Sequence, residues 1–252
     1  MRSNAAEATR LIEYGIARSG LSGLILLSGI SISLSAWPFR RRKPDDETPE
    51  HSDQDDAASD QKVDLIDWGI RLAMLGKLDR AVEQFKSAVE QEPDNPIAHY
   101  NFALALDELG RYEEARQAYE RAAYLSPESI DILINSSITL LSLDKRDDAI
   151  GALNKAVEKG CDDPIPHFDL GCAYLTGGAY KEAIYHFREA AKVDPKDPQT
   201  RFNLAIALRK AGFIDQAENE LRDFLALARA RFPEHRLYVE RLLAEEYSNK
   251  EN

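Results

Sequence analysis

Ala81, Ala115, Ala149, Ala183 and Ala217 stand 34 residues apart along the chain, and the residues around each repeat the same pattern. A period of this size constrains the fold more than any local propensity does. A unit that short buries its apolar face only against its neighbours. Residues 64–93 read DLIDWGIRLAMLGKLDRAVEQFKSAVEQEP, and residues 165–195 read IPHFDLGCAYLTGGAYKEAIYHFREAAKVDP.

Each unit has a small residue early in its first helix: Gly69, Ala103, Ser137, Gly171 and Ala205. A small side chain there lets helix A approach helix B. A turn glycine follows at Gly76, Gly110, Gly178 and Gly212, suited to a left-handed helix end. Helix B then carries a large residue (Phe85, Tyr119, Leu153, Phe187, Leu221) and a second small one (Ala88, Ala122, Ala156, Ala190). Pro93, Pro127 and Pro195 break the chain before the next unit.

On these residues the chain resembles the tetratricopeptide-repeat (TPR) family from Lys62 to about Pro233. The resemblance implies an all-α fold, a right-handed superhelical solenoid of five helix-turn-helix repeats. The repeats are 62–95, 96–129, 130–163, 164–197 and 198–231. Residues 234–252 read as a C-terminal capping helix and tail, with Leu237, Leu242, Leu243 and Tyr247 as its expected buried set. Three positions depart from the family pattern. Asp144 stands where the turn glycine belongs, Cys161 where a proline belongs, and Phe224 where the second alanine belongs.

Charge divides the rest of the chain. Residues 1–43 carry seven basic and two acidic side chains, and residues 44–61 carry eight acids with no Lys or Arg. Within the first segment, 19–39 holds no charge at all. As a helix it would reach about 31 Å, the thickness of a bilayer's hydrocarbon core. Trp37 and Phe39 then precede Arg40, Arg41, Arg42 and Lys43, which the positive-inside rule places on the cytoplasmic or equivalent side. The expectation is a single-pass anchor at 19–39 following an N-terminal segment, 1–18. A cleaved export or targeting sequence is the alternative. Residues 40–61 combine the basic cluster with an acidic tether too poor in aliphatics to bury a core.

Family knowledge places partners on the inner face of the A helices. Counting from Lys62, Pro96, Ile130, Pro164 and Pro198, the fifth positions are Ile66, Tyr100, Ile134, Phe168 and Phe202. The ninth are Ile70, Leu104, Ile138, Cys172 and Ile206, and both rows are expected to offer an apolar groove. Between them the sixth positions, Asp67, Asn101, Asn135, Asp169 and Asn203, form a ladder of short amides and carboxylates. An amide both donates to and accepts from a peptide backbone, so the ladder reads as a grip on main chain. It resembles the asparagine ladders of some TPR proteins. A clamp for a terminal carboxylate does not fit, because Ile66, Ile70, Asp131 and Asn135 stand where such clamps place other, mostly basic, groups. Arg201, Arg209 and Lys210 remain to meet an acidic end of a ligand.

Catalytic chemistry is not expected. No phosphate-binding glycine loop or zinc-type cysteine pairing occurs, and no cofactor or metal is called for. His99 and His167 share a repeat position but should lie on the order of 20 Å apart. His186 and His235 have no evident partner in the sequence. The net charge of −12 argues against nucleic acid. The expected function is a membrane-anchored scaffold or assembly factor that binds a client polypeptide. A self-assembling, membrane-tethered coat is the rival, and the sequence alone leaves a homo-oligomer open.

Overall fold

A computed structural model describes residues 64–228 and 232–250. The expected anchor at 19–39, the segment before it and the tether at 40–61 lie outside the described residues. Among those residues there are eleven α-helices and no strand, and none is long and apolar enough to cross a membrane.

The chain divides after Leu125 into two compact units. The first holds α1 (Leu65–Met74), α2 (Leu78–Gln91), α3 (Pro96–Glu108) and α4 (Tyr112–Leu125). The second holds α5 (Ile130–Ser142), α6 (Arg146–Glu158), α7 (Ile165–Thr176), α8 (Tyr180–Val193), α9 (Pro198–Lys210), α10 (Ile214–Ala228) and α11 (Pro233–Lys250). Odd and even helices up to α10 pair as the A and B helices of five hairpins, as the repeat pattern requires.

The A helices start where the sequence supplies caps. Asp64 accepts from the Ile66 and Asp67 amides, Asn95 from Ile97 and Ala98, and Asp197 from Gln199 and Thr200. Pro96 and Pro198 follow in the first turn, where a missing N–H costs nothing. Each A helix ends in the same pair of backbone bonds. In the first repeat, Gly76 N–H donates to Ala73 and Lys77 N–H to Leu72, both at 2.9 Å. That closure demands a left-handed residue, and Gly76, Gly110, Gly178 and Gly212 take φ of 72°, 73°, 79° and 88°.

The third repeat makes the same closure with Asp144 at φ 56°. Its amide donates to Leu141, and Lys145 donates to Leu140. The closure is the same, with an L side chain in a conformation that favours glycine. Asp144→Gly is therefore expected to stabilise the chain by about 0.5–1 kcal/mol, after allowing for the greater freedom of glycine in the unfolded state. The ion pair to Arg146, 3.6 Å and exposed, is too weak to reverse the sign. Chemical denaturation of both forms checks it, and a destabilised variant would refute it.

The small early residues do what their spacing suggests. Behind Gly69 and Gly171 lie the rings of Phe85 and Phe187, which are buried. In the second unit these contacts join a core that includes Phe187, Phe202, Leu204, Leu221, Phe224, Tyr238, Val239 and Leu242.

The terminal helix α11 packs on this core through Leu242 and Leu243, as expected, but Leu237 turns outward and Tyr238 and Val239 take its place, while the Tyr247 side chain lies outside the described residues. Leu237 is 52% exposed, whereas Tyr238, Val239 and Leu242 are buried and Leu243 half-buried. The Tyr238 ring meets Phe202 edge-on at 6.4 Å, and Phe232, at φ 59°, sets where α11 begins. Residues spaced one and four apart share a helical stripe, and Tyr238, Val239 and Leu242 form that stripe.

Candidate functional site

The sixth-position ladder is set by bonds within its own helices. Asn101 Nδ2 donates to the Ile97 carbonyl at 2.9 Å, and Asn135 Nδ2 donates to Asp131 at 2.8 Å. Each bond reaches back one helical turn and fixes the plane of the amide. Burial along the ladder is uneven. Asn101, Asp169 and Asn203 are buried, Asn135 is half-buried and Asp67 exposed.

Asp169 differs from the amides in chemistry. Its Oδ2 is buried with no hydrogen-bond partner. Burial, and secondarily the charge of Asp163, pushes its carboxyl up to about 7. A carboxyl in this setting is stable only while it keeps its proton.

The flanking rows are not the open apolar surface the sequence suggested. All five ninth-position residues, Ile70, Leu104, Ile138, Cys172 and Ile206, are buried. In the fifth row Tyr100, Ile134 and Phe202 are buried, leaving Ile66 and Phe168 half-buried. The aromatic members turn onto helix B. Tyr100 meets Tyr119 with ring centroids 6.1 Å apart, Phe168 meets Phe187 at 5.8 Å, and Phe202 meets Phe224 at 5.4 Å. Ring packing of this kind holds the side chains in the hairpin and takes the buried Tyr100 and Phe202 from a ligand's reach, while Phe168 stays half-buried. The accessible part of the candidate site is thus Ile66 and Asp67 in the first unit, and Asn135 and Phe168 in the second. Beside Ile66 lies a cleft of about 250 Å³, lined by Asp64, Leu65, Ala88, Gln91, Glu92 and Asn95.

The basic groups proposed for an acidic ligand end are partly spent. Arg201 donates to Glu220 at 2.9 Å and to the Pro195 carbonyl at 3.3 Å, so its charge is neutralised internally.

Two findings escaped sequence reasoning. His186 does have a partner, since its Nδ1 lies 3.0 Å from Nδ1 of His167. Burial, with the neighbouring His167, holds the His186 imidazole down at about 4, and burial lowers His167 as well. His99, at the same repeat position as His167, instead bonds the Pro93 carbonyl through Nε2 at 2.9 Å. The second finding is Glu108, which burial, then Asp107, raises to about 7. The cysteines are free thiols, and burial pushes Cys172 well above its ordinary range, which makes it a poor nucleophile. Among the described residues no group of three or more His, Cys, Asp or Glu side chains is placed to hold a metal.

Comparison with known proteins agrees with the repeat geometry. Residues 66–130 match the family model of the tetratricopeptide repeat, and residues 171–212 match a second TPR repeat model. The TPR repeat-containing protein MJ1428 of Methanocaldococcus jannaschii is 26% identical over 160 residues, 58% of this chain and 27% of that protein. The aspartyl/asparaginyl beta-hydroxylase of Mus musculus is 25% identical over 169 residues, 63% of this chain but 22% of that protein. The chain thus spans about a quarter of the length of these curated relatives. Among solved structures, MamA (residues 41 to end) from Desulfovibrio magneticus RS-1 superposes with a TM-score of 0.63 at 20% identity, covering 66% of this chain and 94% of that one. YrrB, described as a TPR protein with an unusual peptide-binding site, gives 0.61 at 22% identity, covering 72% and 90%. These likenesses establish the fold.

Proposed function

We propose that this chain, whose hairpins are tetratricopeptide repeats, binds a client polypeptide through the accessible members of its A-helix ladder and performs no catalysis of its own. The observation that carries the proposal is the amide geometry of the sixth position. Asn101 and Asn135 make the same bond to the carbonyl four residues back, in two different units. An amide held this way keeps one orientation, so a peptide that meets it does not bear the cost of ordering it. Asp67 and Asn135 are the ladder positions a client reaches, with Ile66 and Phe168 as apolar neighbours. The buried members, Asn101, Asp169 and Asn203, lie inside the hairpins, out of a client's reach.

The peptide-binding site of YrrB makes this use of a TPR array plausible for a relative in fold. The similarity to a beta-hydroxylase covers too little of that enzyme to bring its chemistry here. The uncharged run at 19–39 supports a further part of the reading, that the client is held at a membrane. Tethering would raise the groove's local concentration beside membrane-resident clients.

Site-specific photocrosslinking tests the binding surface. A photoreactive amino acid replaces Ile66, Asn135 or, as a control on helix B, the exposed Tyr185 in the full chain expressed in its native cell. A client captured from positions 66 and 135 and not from 185 is the expected result. Capture at 185 alone would move binding off the A helices and refute the site. Extraction of membranes with alkaline carbonate, comparing the full chain with one lacking 19–39, tests the anchor separately. An intact chain released like the deletion would end that part of the proposal.

A further inference from the structure

The fourth hairpin brings two imidazoles together on facing helices. His167 is near the start of α7 and His186 is in the middle of α8, and their Nδ1 atoms are 3.0 Å apart. Both residues are half-buried, so water reaches one side of the pair. The rings do not swing freely. His186 is stacked on Tyr174, with centroids 5.4 Å apart and planes 10° from parallel, and Tyr185 meets it edge-on at 5.0 Å. The His167 and His186 rings are tilted by 34° with centroids 5.2 Å apart, and their Nδ1 atoms face each other.

We propose that His167 and His186 form a two-histidine site for a divalent transition-metal ion, copper above all, with water completing its coordination. With metal–nitrogen bonds of about 2.0–2.1 Å, two nitrogens on one ion lie about 2.8–3.4 Å apart, from right-angled to tetrahedral coordination, and this pair at 3.0 Å falls in that range. Imidazole donors suit zinc, copper and nickel alike, and affinity among them peaks at Cu(II). In the metal-free protein one Nδ1 carries a hydrogen and donates to the other. On binding, that hydrogen exchanges through water to Nε2 of the same ring, so a neutral pair becomes two donors with no net loss of a proton.

The second repeat contains a natural control. His99 stands at the position of His167, but its Nε2 is taken by the Pro93 carbonyl, and the residue that corresponds to His186 is Ala118. An ion bridging α7 and α8 would fasten one hairpin of the array, so its binding should appear as metal-dependent thermal stability.

The full chain, purified through a tag free of histidine, is titrated with CuCl2, NiCl2 and ZnCl2 by calorimetry, and the copper form is examined by electron paramagnetic resonance. The expected result is one copper per chain, with splitting from two nitrogens, copper bound more tightly than nickel or zinc, and a raised melting temperature. His167→Gln and His186→Gln should each weaken copper binding at least tenfold, while His99→Gln should leave it unchanged. Circular dichroism checks that each variant keeps its helices, and if His186→Gln loses them, His167→Gln and His167→Ala decide the question. Copper binding retained in the folded His167 variants, no saturable binding in the parent, or copper bound no more tightly than zinc would each overturn the assignment.

Discussion

Asp169→Asn is expected to stabilise the chain by about 2–4 kcal/mol at pH 8 and by less than about 1 kcal/mol at pH 4.5. The carboxyl is 2% exposed, has no partner for Oδ2, and titrates at about 7 in the fold against 3.8 for the free group. Between those two values the folded state holds a proton that the unfolded chain has lost. Stability therefore falls as pH rises from about 4 to about 7, and the loss is complete above that. Asparagine does not titrate, so the variant escapes the penalty. It also gains an amide of the kind Asn101 and Asn135 use to bond the carbonyl four residues back. Urea unfolding of both forms at the two pH values measures the effect. A gain of equal size at pH 4.5 and pH 8 would mean that ionisation of Asp169 is not the cause. The converse change, Asn203→Asp, should cost stability at pH 8 and little at pH 4.5, because Asn203 occupies the same buried position one repeat later.

The sequence made the hairpins legible because the repeat states the same packing problem five times. Every A helix needs a small residue, a left-handed turn and a partner ring on helix B, and the residues that meet those needs recur at fixed distances. Burial of the inner rows was harder to read. An isoleucine in the ninth position has the same letter whether it faces a ligand or a neighbouring helix, and periodicity does not separate the two. The aromatic fifth positions were misleading for a related reason, since Tyr100, Phe168 and Phe202 turn onto helix B. The histidine pair, by contrast, was within reach. Tyr100 and Tyr119, Phe168 and Phe187, and Arg201 and Glu220 are all nineteen residues apart and in contact. The same spacing joins His167 to His186. Once one such contact is known, repeat arithmetic supplies the others. Asp169 carried a weaker signal, a carboxylate in a column mostly of amides, and only its burial shows what that substitution costs.

Gly171→Ala is expected to destabilise the chain by about 1–3 kcal/mol, the usual cost of forcing an extra carbon into a filled core. A β-carbon built there lies 2.6 Å from two ring carbons of Phe187, closer than such carbons approach one another. The ring has no room to yield, since Phe187 is fully buried and also packed against Phe168. The other repeats show how the conflict is avoided. Glycine at this position faces phenylalanine in the first and fourth repeats, at Gly69–Phe85 and Gly171–Phe187. The remaining repeats pair Ala103 with Tyr119, Ser137 with Leu153 and Ala205 with Leu221, by the same spacing. Of these, the alanine–leucine pair is the one to transplant. Phe187→Leu alone should cost about 1–2 kcal/mol by opening space in the core. In combination with Gly171→Ala, the new methyl fills part of that space and the clash disappears. The double variant should then be more stable than the sum of the single changes by at least about 1 kcal/mol, a coupling that distant sites do not show. Equilibrium unfolding of the four forms completes the cycle. Strict additivity would mean that the fourth hairpin absorbs the methyl by shifting α7 away from α8, and that the pairing of small and large residues is not what sets the approach of its two helices.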